Sequence, residues 1–227
     1  MGLNILIIGS GAREHAIARA LDASSKEKYI FCIASNLNPG IVELCDELII
    51  GDSNDPSFVV AYANEINADL VIIGPEEPLA YGVSDILKSA NITTFAPSKA
   101  ASKLESSKLF TKEICDNCQA PTAGYDYFDN KEKAIEFIKK SKFPIVVKAD
   151  GLAAGKGVVI ASEYLEAEEA ITEMFGGYYG QAGAQVVIEE FMEGEEASLF
   201  VLCDGENLIS FGGAQDHKRA YDGDNGP

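Results

Sequence analysis

No apolar run in this chain approaches the roughly twenty residues of a membrane-spanning helix. The N-terminus lacks the charged start and small-residue cleavage site of a secretory signal, because Asn4–Ile8 runs straight into a glycine turn. Met1-Gly2 does not make a myristoylation signal, since Leu6 stands where Ser or Thr is needed. Basic residues are scarce: 18 Lys and Arg face 36 Asp and Glu, a formal net charge of −18 with a pI near 4.4. A surface that acidic repels phosphate backbones and anionic lipids, which argues against nucleic acid and membrane as partners. The five cysteines form an odd, scattered set. Cys115 and Cys118 make the only C-x-x-C pair, no second pair completes a zinc site, and neither histidine is near in sequence. Reduced thiols in a cytoplasmic protein are expected. There is no internal repeat and no low-complexity tract.

What is present reads as globular. Hydrophobic content of 47% and charged content of 24% are average. The 227 residues suffice for one large or two small domains. Asn4–Ile8, Tyr29–Ala34, Glu47–Ile50, Leu70–Ile73 and Thr93–Phe95 are short, mostly continuous apolar runs, which suit parallel strands covered on both faces. Helical patterns lie between them: Ala12–Leu21, Pro56–Glu65 with Asp55 as cap, and Pro78–Ala90. This alternation predicts a doubly wound, mostly parallel α/β domain that binds ligands at the carboxyl ends of its strands. Ser98–Cys118 reads as one helical connector. A small α+β unit follows: strands Tyr125–Phe128, Ile145–Lys148, Val158–Ala161 and Gln185–Glu189, with helices Lys131–Ser141 and Tyr164–Phe175. Ala197–Cys203 and Leu208–Gly212 look like a hairpin around Asp204-Gly205.

The chemistry concentrates in Pro144–Val158. An apolar strand ends on Lys148, a glycine-spaced loop carries Lys156, and another strand begins. Glycine lets backbone N–H groups approach an anion, and lysine adds mobile positive charge. The loop is not a P-loop: Gly151 and Gly155 stand one residue too close, and Gly157 replaces the Mg²⁺-binding hydroxyl residue. With strands on both sides, a hairpin lid over a triphosphate fits better. An unpaired Lys148 in a cleft would be costly, and a triphosphate is a natural counter-charge. Lys108 lies upstream in a helical pattern, where Lys103, Lys108 and Lys112 also fit a single solvated face.

Gly9-Ser10-Gly11-Ala12-Arg13-Glu14 begins like a dinucleotide fingerprint. Glu14 replaces its third glycine, and Ala34-Ser35-Asn36 carries no acidic residue for a ribose. The turn is left as a phosphate site through its N–H groups. Gly74-Pro75-Glu76-Glu77-Pro78-Leu79 falls beside it if the sheet is parallel, with Glu76 placed to hold an amine or ribose hydroxyls.

Lys108, the Lys148 loop and then Val186–Ser198, with its Glu-Glu-aromatic and Gly-Glu-Glu segments, follow the order seen in ATP-grasp enzymes. Together with Ile8–Ala16, Asn38-Pro39-Gly40, Gly74–Leu79 and Gln215–Arg219, they make the whole chain resemble the glycinamide ribonucleotide synthetase family. The resemblance implies an ATP-dependent ligase of de novo purine synthesis, joining glycine to 5-phosphoribosylamine through glycyl phosphate. It implies ATP binding by Lys108, Lys148, Gly151, Gly155, Lys156, Gly157, Glu189, Glu190, Met192 and Glu196. The backbone of Glu189–Met192 would read the adenine edge, and Glu196 would accept from the ribose. Substrate binding falls to Gly9, Gly11, Arg13, Glu14, Asn38, Pro39, Gly40, Gly74, Pro75, Glu76, Asp216, Lys218 and Arg219. Mg²⁺ or Mn²⁺ is implied, with its ligands C-terminal to Pro227, so the chain alone is expected to be inactive. No catalytic residue is assigned; an acyl phosphate needs no general base, and His15 reads as a packing residue rather than one. The expected division is 1–100 for the α/β phosphoribosylamine domain, 101–120 for the connector, 121–190 for the ATP-grasp lid and 191–227 for the start of the catalytic core. Two alternatives stand beside this reading: another ATP-grasp carboxylate–amine ligase, and a non-catalytic nucleotide-binding fragment.

Overall fold

The computed structural model describes residues 2–153, 157–178, 184–215 and 220–223. Five parallel strands, β1 (Leu3–Ile8), β2 (Lys28–Ala34), β3 (Glu47–Ile50), β4 (Leu70–Ile73) and β5 (Thr94–Phe95), form a sheet in the order β3-β2-β1-β4-β5. Alternate side chains of β1 and β2 enter two cores. Leu6, Ile8 and Ile33 pack with Val59, Val71 and Leu87 on one face, and Ile7, Cys32 and Ala34 with Ala18 and Ile41 on the other. That double burial is why these runs are continuously apolar.

The helices are α1 (Ala12–Asp22), α2 (Pro39–Val42), α3 (Pro56–Glu65), α4 (Glu77–Tyr81) and α5 (Val83–Ser89). Asp55 caps α3 as expected, its Oδ1 accepting from the N–H of Ser57 and Phe58. The single helix expected over Pro78–Ala90 is instead α4 and α5, because Gly82 turns left-handed between them at φ 86°. The short helix α2 was not expected. Asn38 opens it by accepting from the Gly40 N–H, with Pro39 in its first turn. Since β2 and β4 flank β1 on opposite sides, the chain reverses its winding at β1. A crevice therefore opens at the carboxyl ends of β1 and β4.

The expected connector Ser98–Cys118 is likewise two helices, α6 (Lys99–Ser106) and α7 (Lys108–Cys118). Ser107 is extended between them, at φ −139° and ψ 114°, and its hydroxyl caps α7 at the Phe110 N–H. Beyond it, β6 (Tyr125–Phe128), β7 (Ile145–Ala149), β8 (Val158–Ala161) and β9 (Val186–Glu190) pair antiparallel in the order β6-β9-β7-β8. Helices α8 (Lys131–Ile138) and α9 (Tyr164–Phe175) cover one face, where Ile138, Ile171 and Met174 share a core with Ile145 and Val147. Val146 and Lys148 alternate onto the opposite face. A hairpin of β10 (Ala197–Cys203) and β11 (Leu208–Gln215) follows, three residues longer in β11 than the sequence suggests. All five cysteines are free. Among the described residues, no helix is long and apolar enough to cross a membrane.

Candidate functional site

The carboxyl end of β1 turns at Gly9, whose φ of 113° requires glycine. The Gly9 N–H bonds Ile33 O, and the Gly74 N–H bonds Ile8 O, so the two glycine turns lie side by side. Glu14 belongs to their framework. It is 3% exposed, and its Oε2 accepts from the Gly11 N–H at 2.5 Å, the reciprocal half of a capping box. Its Oε1 is buried without a hydrogen-bond partner beside Gly74, where any Cβ would overlap it. The Gly11 N–H expected to meet a phosphate is therefore occupied from within the chain. Asn38 Nδ2 donates to Ser10 O at 3.0 Å and ties the Asn38-Pro39-Gly40 segment to the same turn. His15 lies so close over Gly40 that a Cβ there would overlap its ring, which fits packing rather than proton transfer.

Arg13 Nη2 lies 2.9 Å from Glu76 Oε2. The Glu76 carboxylate raises the Arg13 pKa, and Arg13 holds the Glu76 pKa below the ordinary carboxylate value. With their side chains 70% and 40% exposed, the pair adds little stability. It forms one wall of a cleft of about 400 Å³. Gly74 and Leu79 continue that side, and Ser102 and Glu105 of α6 face them. Helix α6 ends at Ser106, and α7, which carries Lys108, begins directly after Ser107.

The lysine site forms where α7 meets β7 and β9. Asp150 Oδ2 accepts from the Ser107 hydroxyl and its Oδ1 from the Leu109 N–H, both at 3.1 Å. A strand exit thereby supplies the second cap of α7. Lys108 Nζ then reaches Gly151 O at 3.2 Å. Burial lowers its pKa, Asp150 opposes that fall, and Lys148 adds to it. Gly151 turns at φ 131°, and a Cβ on Gly157 would crowd Ala153 and Ala149. Lys148 stands opposite Val187 across β7 and β9, which makes Glu189 its diagonal neighbour, within reach of a long side chain. Lys148 Nζ lies 2.9 Å from Glu189 Oε2.

Sequence reasoning missed Lys112. It is no member of a solvated face: it is 7% exposed, and its Nζ lies 3.3 Å from the same Glu189 oxygen. The signal was available, since Lys108 and Lys112 stand one helical turn apart on α7. Glu190 turns back, its Oε1 accepting from the Gly124 N–H at 2.9 Å. Met192 and Glu196 lie exposed between β9 and β10. Pro39 opens α2, and Pro75 packs against Gly9. Gly155, Lys156, Asp216, His217, Lys218 and Arg219 lie outside the described residues. Among the described residues, no group of three or more His, Cys, Asp or Glu fits a metal ion.

Two family models match end to end: the N domain of phosphoribosylglycinamide synthetase over residues 3–105, and its ATP-grasp (A) domain over residues 106–227. Phosphoribosylamine–glycine ligase of Brucella melitensis biotype 1 is 48% identical, and that of Caulobacter vibrioides 50%, each over 99% of this chain. The chain spans about half the length of these curated relatives, 52% in both cases. The crystal structure of phosphoribosylamine–glycine ligase from Thermotoga maritima superposes with a TM-score of 0.79 at 28% identity, over 99% of this chain and 53% of that one.

Proposed function

Because the chain belongs to the phosphoribosylglycinamide synthetase family, we propose that the whole protein is the ATP-dependent ligase joining glycine to 5-phosphoribosylamine in purine biosynthesis. The observation that carries this reading is the convergence of Lys108, Lys148 and Gly151 at the head of α7, held there by Asp150. Two ammonium groups at the base of a glycine loop suit the phosphates of ATP. The Glu189–Met192 backbone takes the adenine edge, and Glu196 the ribose.

The glycine carboxylate attacks the γ-phosphate, giving glycyl phosphate and ADP; the amine of phosphoribosylamine then displaces phosphate. Acceleration comes from positioning and charge neutralisation, since the acyl phosphate carries the activation. The cleft between Arg13, Glu76 and α6 takes phosphoribosylamine, with Glu76 toward the amine or ribose hydroxyls and Arg13 toward the phosphate. Asp216, Lys218 and Arg219 belong to the same substrate pair. The Mg²⁺ or Mn²⁺ of such a reaction finds no fitting ligand set among the described residues. The setting this implies is cytoplasmic, with small-molecule partners and neither nucleic acid nor membrane.

ADP release by the full-length protein, with glycine and phosphoribosylamine supplied separately and together, tests this reading. Turnover only with both is expected. Turnover with a different carboxylate and none with glycine would make it another ATP-grasp ligase.

A further inference from the structure

Two lysines share one carboxylate oxygen, and they do so unequally. Lys112 Nζ is held by Glu189 Oε2 at 3.3 Å, Thr122 Oγ1 at 2.7 Å and Ala123 O at 3.1 Å. Those contacts match the three N–H donors of an ammonium group. The Tyr125 ring lies below, its centroid 5.4 Å from Nζ, and the Lys112 side chain is 9% exposed. Lys148 approaches Glu189 from the cleft with its side chain 26% exposed. Glu189 itself is 5% exposed. Stripping a buried carboxylate of its last counter-charge is strongly unfavourable. If Lys148 were the sole partner of Glu189, turning toward a phosphate would leave that charge bare.

We infer that Lys112 is a positioning residue: it stays on Glu189 permanently, so that Lys148 can exchange this carboxylate for the phosphates of ATP. The inference rests on the ATP reading above. In this arrangement the three side chains carry one net positive charge toward the cleft. Without Lys112, Lys148 and Glu189 form a neutral pair, and ATP must compete with Glu189 for its cation. Lys112 needs no contact with the nucleotide.

Calorimetric titration with ATP, on the full-length protein, separates this from a purely structural role. Lys112→Met is expected to weaken ATP binding about tenfold or more, the scale of one charge-assisted contact. Adding Glu189→Gln in that background removes the competitor and is expected to restore affinity to that of Glu189→Gln alone. Lys112→Arg retains the charge and is expected to stay near wild type. Unchanged affinity in Lys112→Met, or a loss that persists in the double variant, overturns the inference. Should Lys112→Met not fold, Glu189→Gln alone decides: affinity equal to or tighter than wild type supports partner exchange, and a tenfold loss overturns it. A wild-type protein that does not bind ATP removes the underlying reading and this inference with it. Normal wild-type binding with no effect of Lys112→Met removes this inference alone.

Discussion

The Glu14 carboxylate meets the backbone N–H of Gly11 at 2.5 Å, on the ground where a pyrophosphate would approach the head of α1. A dinucleotide would bring negative charge against a buried carboxylate that is already there. NAD is therefore expected not to bind, and saturable NAD binding by calorimetry at this turn would contradict the arrangement.

Gly74 is the other half of that arrangement. A methyl group there overlaps Glu14, and a buried carboxylate has nowhere to retreat. Gly74→Ala is expected to destabilise the protein by about 1–3 kcal/mol, typical of overpacking. Urea denaturation measures this. A midpoint equal to wild type would show that Glu14 moves freely.

Lys148→Ala removes one of the two cations at the loop. A charge-assisted hydrogen bond contributes roughly 1.5–3 kcal/mol, so ATP affinity is expected to fall about ten- to a hundredfold. Calorimetry reporting unchanged affinity would take Lys148 out of the site.

The Arg13–Glu76 pair sets a small pH dependence. The Glu76 pKa is depressed in the folded protein, so its contribution is present above the ordinary carboxylate pKa and disappears as pH falls through the folded value. Arg13 stays charged throughout that range. Glu76→Gln is expected to lower stability slightly above the ordinary carboxylate range and to converge with wild type below the folded Glu76 value, which flattens the acid limb. A difference that persists undiminished at the acid end would assign the effect to something other than this pair.

The hairpin β10–β11 presents Leu199, Phe211 and Leu208, each about 70% exposed, along with Ile209 and Phe200. A lone two-stranded ribbon is marginal in water, and a patch this apolar binds other surfaces. The 227-residue chain is expected to enhance the fluorescence of a hydrophobic dye. Leu199→Ser with Phe211→Ser is expected to lower that signal toward the buffer value. Dye fluorescence unaffected by the double substitution would place the apolar surface elsewhere.

Much of this architecture is legible in the residues themselves. The parallel strands announce themselves as continuous apolar runs because both faces are covered, and Asp55-Pro56 marks the head of α3 by local chemistry alone. What escaped depends on partners distant in sequence. Ser98–Cys118 looks like one helix until Asp150, from another strand, caps a second helix beginning after Ser107. Gly82 sits inside a helical pattern that tolerates glycine, and nothing local says that its φ is positive. Lys112 resembles any surface lysine until the register of β7 and β9 puts Glu189 beside it. At the Gly-Ser-Gly turn the residue types are right for an anion, and the chain's own Glu14 already meets one of its N–H groups, that of Gly11.

Asp150 leaves the end of β7 two residues beyond Lys148 and grips the first turn of α7, where Lys108 begins. Both lysines are thereby bolted to a single mechanical part. The spacing between the two cations is therefore set at this junction of β7 and α7.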